Sequence, residues 1–167
     1  FLTGGVFGSS GMSLTNVYNI GSNLNVQNYW EAGGLVGRLN NYGAVIKDSY
    51  VQANVSSNHY SVGGIAGWTN ALINNVSVVG NITGSAYVGG VVGYKSNNMN
   101  TVNATFSGNV TGNTQAGGIF GRLEGNMVAS NLTVTAANIT ATSEYAGGLI
   151  GYSQGVYTIN SSSVSNT

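Results

Sequence analysis

Eight asparagines stand in the pattern Asn-x-Ser/Thr with no proline between: Asn54, Asn75, Asn81, Asn103, Asn109, Asn131, Asn138 and Asn160. This is the acceptor pattern for N-linked glycans, which are carried on the side-chain amide at exposed positions of secreted chains. The rest of the reactive inventory is thin. There is one histidine, His59, one aspartate, Asp48, and the glutamates Glu31, Glu124 and Glu144. A glycosidase or lyase needs two carboxylates, or a carboxylate and a base, held close together. Glu31 and Glu144 occupy similar points of the repeat described below but lie four repeats apart, about 19 Å at the spacing of stacked strands. His59 adjoins Tyr60 in a loop and reads as a solvated residue. Calcium-binding nonapeptide repeats need an aspartate in every turn, which this chain lacks. With no cysteine there is neither a disulfide nor a thiolate zinc site. The expectation is a protein with no catalytic residue, no cofactor and no metal, hence not an enzyme.

A second set of residues suits recognition. Tyr60, Tyr87 and Tyr145 precede a glycine signature by two or three residues, and Trp68, Tyr94 and Tyr152 follow one directly. Aromatics in register along an edge either pack over a corner or form a strip that stacks on sugar rings or anchors a partner. Charge argues against other partners. Four Lys or Arg residues balance four Asp or Glu residues, giving a net charge of zero. Nucleic acid requires clustered cations to neutralise phosphates, and no such cluster exists. Membrane insertion is not expected either, because the apolar runs fall far short of the ~20 residues a spanning helix needs.

The elements that position these residues come from an internal repeat. Gly-Gly-x-x-Gly with apolar x occurs six times, beginning at Gly4, Gly33, Gly63, Gly89, Gly117 and Gly147. A second signature follows each: Asn16-Val17-Tyr18-Asn19, Asp48-Ser49-Tyr50-Val51, Asn75-Val76-Ser77-Val78, Asn103-Ala104-Thr105-Phe106, Asn131-Leu132-Thr133-Val134 and Asn160-Ser161-Ser162-Ser163. A third comes six or seven residues later: Asn54-Val55-Ser56, Asn81-Ile82-Thr83, Asn109-Val110-Thr111 and Asn138-Ile139-Thr140. Residues rich in Val, Ile, Thr and Tyr, with no proline, favour strands. Three short strands in about 28 residues suit one coil of a parallel β-helix. The chain is therefore predicted to be all-β: one single-stranded β-solenoid domain over residues 1–167, with coils near 2–31, 32–61, 62–87, 88–115, 116–145 and 146–167. Chirality favours a right-handed winding, and six rungs would make a rod about 29 Å long.

Alternation of period two directs the side chains. Val76, Val78, Ala104, Phe106, Leu132, Val134, Ile82, Val110 and Ile139 should face inward. The first x of the glycine signature is always aliphatic and reads as a core ladder. The second, from Ala66 to Phe120, should face outward or sit at a corner. The glycines should allow either positive φ at a bend or close approach of stacked backbones. The same alternation turns the asparagine and hydroxyl of all eight acceptor sites outward, at two fixed points of the repeat. Two readings stay open there: glycans, or stacked asparagine ladders joined by hydrogen bonds.

The glycine signature resembles the GLUG repeat, a glycine–leucine–aliphatic–glycine motif found in tandem in large extracellular proteins, including bacterial adhesin-like proteins and immunoglobulin-A-cleaving metallopeptidases. Gly34-Leu35-Val36-Gly37 and Gly148-Leu149-Ile150-Gly151 fit it directly. Gly64-Ile65-Ala66-Gly67, Gly90-Val91-Val92-Gly93 and Gly118-Ile119-Phe120-Gly121 fit with aliphatic substitutions. The resemblance spans essentially the whole chain and implies a scaffold outside the cell. It carries over no catalysis, since the zinc-binding His-Glu-x-x-His of those peptidases is absent. The expectation is an N-glycosylated extracellular or cell-surface stalk or filament, partnered by its own kind end to end or by continuation of a longer chain. The alternative is an adhesive module that binds a surface polysaccharide.

Overall fold

The computed structural model describes residues 2–27, 30–135 and 138–165. Every described element is a strand, and the strands form three parallel sheets wound into a solenoid of six coils. Sheet A takes three residues per coil: Leu2–Gly4, Glu31–Gly33, Ser61–Gly63, Tyr87–Gly89, Gln115–Gly117 and Tyr145–Gly147. Sheet B follows at once: Phe7–Ser10, Val36–Leu39, Ala66–Thr69, Val92–Lys95, Phe120–Glu124 and Ile150–Gln154. Sheet C holds the longer strands, among them Val45–Ser57, Leu72–Val79, Thr101–Ser107 and Met127–Thr135. Strands of one coil pair in parallel with their equivalents in the next, as in the run Leu2, Glu31, Ser61, Tyr87, Gln115, Tyr145.

The three sequence signatures do not map one to one onto the three sheets. The glycine signature is a corner: its first glycine ends a strand of sheet A and its third lies inside a strand of sheet B. The second and third signatures share sheet C, and in the second coil a single strand, Val45–Ser57, contains both. The corner backbone is itself laddered between coils, with the amides of Leu35 and Val36 both donating to the Ile65 carbonyl at 3.0 Å.

The glycines serve close approach, not unusual backbone angles. None of the signature glycines has positive φ. A Cβ on Gly34 would collide with the Gly64 carbonyl, and the same holds for Gly64 against Gly90 and Gly90 against Gly118. The third glycine presses on sheet A of the preceding coil, with a Cβ on Gly67 only 2.6 Å from the Ala32 nitrogen. Sheets A and B thus meet along a seam with no room for side chains.

Of the two expectations for the second x, the corner holds and the outward one does not. Val36, Ala66, Val92 and Phe120 are fully buried, as are their neighbours Leu35, Ile65, Val91 and Ile119. The bend resets the strand alternation, so two successive side chains enter the core. Elsewhere alternation holds: Val76, Val78, Ala104, Phe106, Leu132, Val134, Ile82 and Val110 are buried and Ile139 is half-buried.

The core holds one cation. Lys95 stands in the column of Leu39, Thr69 and Leu123, is fully buried, and donates from Nζ to the Ala71 carbonyl at 2.7 Å. Burial pushes its amine down to about 7.

Candidate functional site

Two outward arrays are candidates, and each begins with a local backbone feature. In sheet C the second signature opens with a residue in the left-handed region: Asn16, Asp48, Asn75, Asn103, Asn131 and Ser161 have φ between 49° and 55°. Asparagine and aspartate tolerate this region best among residues with a Cβ, which explains why they recur there. The position breaks the ladder locally and leaves the side chain free to reach its neighbour. Asn75 donates to Asp48 at 2.7 Å and Asn131 to Asn103 at 2.8 Å. The third signature builds a second ladder, with Asn54 donating to Asn23 and Asn109 to Asn81, each at 2.9 Å, and Asn138 to Asn109 at 3.2 Å.

All eight acceptor asparagines are exposed. Seven occupy the two columns. Asn160 does not: it pairs with Ser130, and Ser161 takes the left-handed position beside Asn131. The last site is therefore one residue out of the register that the sequence pattern suggests. Among the described residues, the side-chain amides of Asn81, Asn103 and Asn160 donate no ladder bond.

The second array lies where sheets A and B meet. A strand of sheet A, the glycine corner and a strand of sheet B bring residues seven apart together on the surface: Glu31 with Arg38, Ser61 with Trp68, Tyr87 with Tyr94, and Tyr145 with Tyr152. Parallel pairing stacks these into a column of Glu31, Ser61, Tyr87, Gln115 and Tyr145 and another of Arg38, Trp68, Tyr94, Arg122 and Tyr152. Tyr60 belongs to neither. It lies one residue earlier, in register with Trp30, and the two rings stack at 5.7 Å.

Arginines are interleaved with the rings. Arg38 lies 5.1 Å from the Trp68 ring, and Arg122 lies 5.1 Å from Tyr87, 5.8 Å from Tyr94 and 5.0 Å from Tyr152. Each guanidinium is paired. Arg38 holds both oxygens of Glu31, with Nε donating at 2.6 Å, and that hydrogen bond raises the guanidinium above its usual range. Arg122 donates to Glu124, whose other oxygen accepts the Tyr94 hydroxyl at 2.6 Å. Burial, aided by that bond, pushes the Tyr94 phenol up to about 12, while the same hydroxyl and Arg122 hold the Glu124 carboxyl below its ordinary value. The face is polar but locally neutral.

Trp30, Arg38, Arg122 and Glu31 are missing from the aromatic strip that the sequence suggests. The signal was present: Arg38 and Arg122 directly follow a glycine signature, as Trp68, Tyr94 and Tyr152 do, and Trp30 precedes one by three residues, as Tyr60 does. Two other positions need correction. His59 is only partly solvated: it is half-buried, 5.9 Å from Trp30 and 4.8 Å from Tyr60, with a buried Nδ1 that has no partner. Glu31 aligns with Tyr145, so Glu144 sits one column away from it. Among the described residues there is no group of three or more His, Asp or Glu side chains that could hold a metal. The chain matches no family model, no curated protein and no solved structure.

Proposed function

We propose that this chain is a rod-forming structural element of an extracellular or cell-surface protein. The observation that carries the reading is the parallel pairing of three sheets from each coil to the next through all six coils, with one bulge between Ile20 and Ser22, and with ladder positions left bare at both end coils. Val6 and Phe7 are 43% and 37% exposed, whereas their equivalents Leu35 and Val36 are fully buried. Val164 is 49% exposed in the column where Val134 is fully buried. Such bare ladders fit a further coil of the same repeat, supplied by more of the chain or by another copy. The exposed acceptor asparagines, the near absence of charge and the resemblance to the GLUG repeat support a glycosylated setting outside the cell. Negative-stain images and light scattering of native material should reveal thin unbranched rods. A compact, monodisperse particle of 17.0 kDa would refute the reading.

A further inference from the structure

The face between sheets A and B holds an interruption with the shape of a binding site. The column of Glu31, Ser61 and Tyr87 carries a large side chain on either side of a small one, and Ser61 is only 4% exposed. Around it the larger side chains close into a collar. Trp30 stacks on Tyr60 at 5.7 Å, Tyr60 meets Tyr87 at 6.4 Å, and Tyr87 meets Tyr94 at 5.7 Å. Tyr94 then meets Trp68 edge-on at 6.2 Å, Arg38 covers Trp68, and Arg38 returns through its ion pair to Glu31, next to Trp30 in the chain. The cup so enclosed has a volume of about 290 Å³.

We propose that this cup binds one ring of a neutral pyranose. The walls are aromatic faces and edges, which suit the C–H faces of a sugar. The floor and one side are polar: the Ser61 hydroxyl and the Glu31–Arg38 pair offer donors and acceptors to ring hydroxyls. An aliphatic or aromatic side chain of a protein partner would fill the cup but leave the Ser61 hydroxyl desolvated and unpaired. A cation would meet Arg38 already lying over Trp68. An anion would find that guanidinium neutralised by Glu31. This site does not depend on the chain forming rods.

The test uses an accident of composition: the protein's two tryptophans, Trp30 and Trp68, both belong to the collar. Intrinsic fluorescence of the full chain is titrated with the methyl β-glycosides of glucose and galactose and the methyl α-glycoside of mannose. Tetramethylammonium and a sulfated polysaccharide serve as the charged probes. A saturable response to at least one pyranoside, with Kd on the order of 1 mM, is expected, with no response to the charged probes. Ser61→Tyr should weaken it roughly tenfold or more by filling the cup. That variant should fold, because Tyr87 and Tyr145 already occupy the same column. Should it not, Trp68→Ala followed by ligand-observed NMR gives the same comparison. Tyr42→Ser, exposed and outside both arrays, should leave binding unchanged. No response to any pyranoside, a response to a charged probe alone, or binding that survives both Ser61→Tyr and Trp68→Ala would overturn the proposal.

Discussion

Lys95 shows how one residue can set the pH dependence of a nearly uncharged protein. Its amine is fully buried, has one backbone carbonyl as acceptor, and pairs with no carboxylate among the described residues. An unfolded lysine titrates near 10.5 and the folded one near 7. Between those values the unfolded chain binds more protons, so stability rises with pH across that window. Below about 7 the folded state must hold the buried charge, and the penalty is fully present. Lys95→Met keeps the volume and removes the ammonium. It should raise the melting temperature at pH 6 by roughly 5–10 °C and bring the value at pH 6 close to that at pH 9. Melting curves at the two pH values check this; an unchanged pH slope would mean that Lys95 reaches solvent.

Among the elements, the glycine corner is the least tolerant. Gly90 has ordinary φ, yet a Cβ there would strike the Gly118 carbonyl and the ring of Phe106. Neither can yield easily, since one is ladder backbone and the other is core. Gly90→Ala should therefore cost about 1–3 kcal/mol, as overpacking does, although alanine normally stabilises a chain with ordinary backbone angles. Denaturant titration measures the sign. The asparagine ladders make a second element-scale prediction. A sugar on an amide that already donates along the stack would run into the next rung, about 4.8 Å away. Glycans on native material should accordingly concentrate on Asn81, Asn103 and Asn160, and be scarce on Asn54, Asn75, Asn109, Asn131 and Asn138. Glycopeptide mapping decides it, and bare peptide at all eight sites would leave the hydrogen-bonded ladders as the sole role of these asparagines.

For the whole molecule, what matters is the pair of bare ladders. Val6 and Phe7 at one end, and Ile159 and Val164 at the other, present apolar side chains beside unpaired strand backbone. A contact between opposite ends is heterologous and does not close, so it propagates. The isolated chain should then associate end to end with rising concentration, and Val6→Lys should block growth by placing a charge in the joint while leaving the six coils folded. Sedimentation velocity of the two proteins distinguishes them. Equal, concentration-independent monomer behaviour would confine rod formation to coils within one continuous chain.

How far the sequence reaches depends on what a repeat can encode. The recurrence of Gly-Gly-x-x-Gly and of the two asparagine signatures determined the solenoid, its six coils and the inward face of sheet C, because strand alternation is local and repetition stacks like on like. Position in the repeat would equally have predicted the columns of Arg38 with Trp68 and of Trp30 with Tyr60. Three things were decided only in three dimensions. Val36 and Phe120 turn inward, Asn160 slips by one, and residues seven apart meet to form the cup around Ser61. All three depend on how tightly one coil's backbone packs against the next. The corner angle is set by contacts between residues about 30 positions apart, such as Gly34 against Gly64, and local alternation carries no record of them.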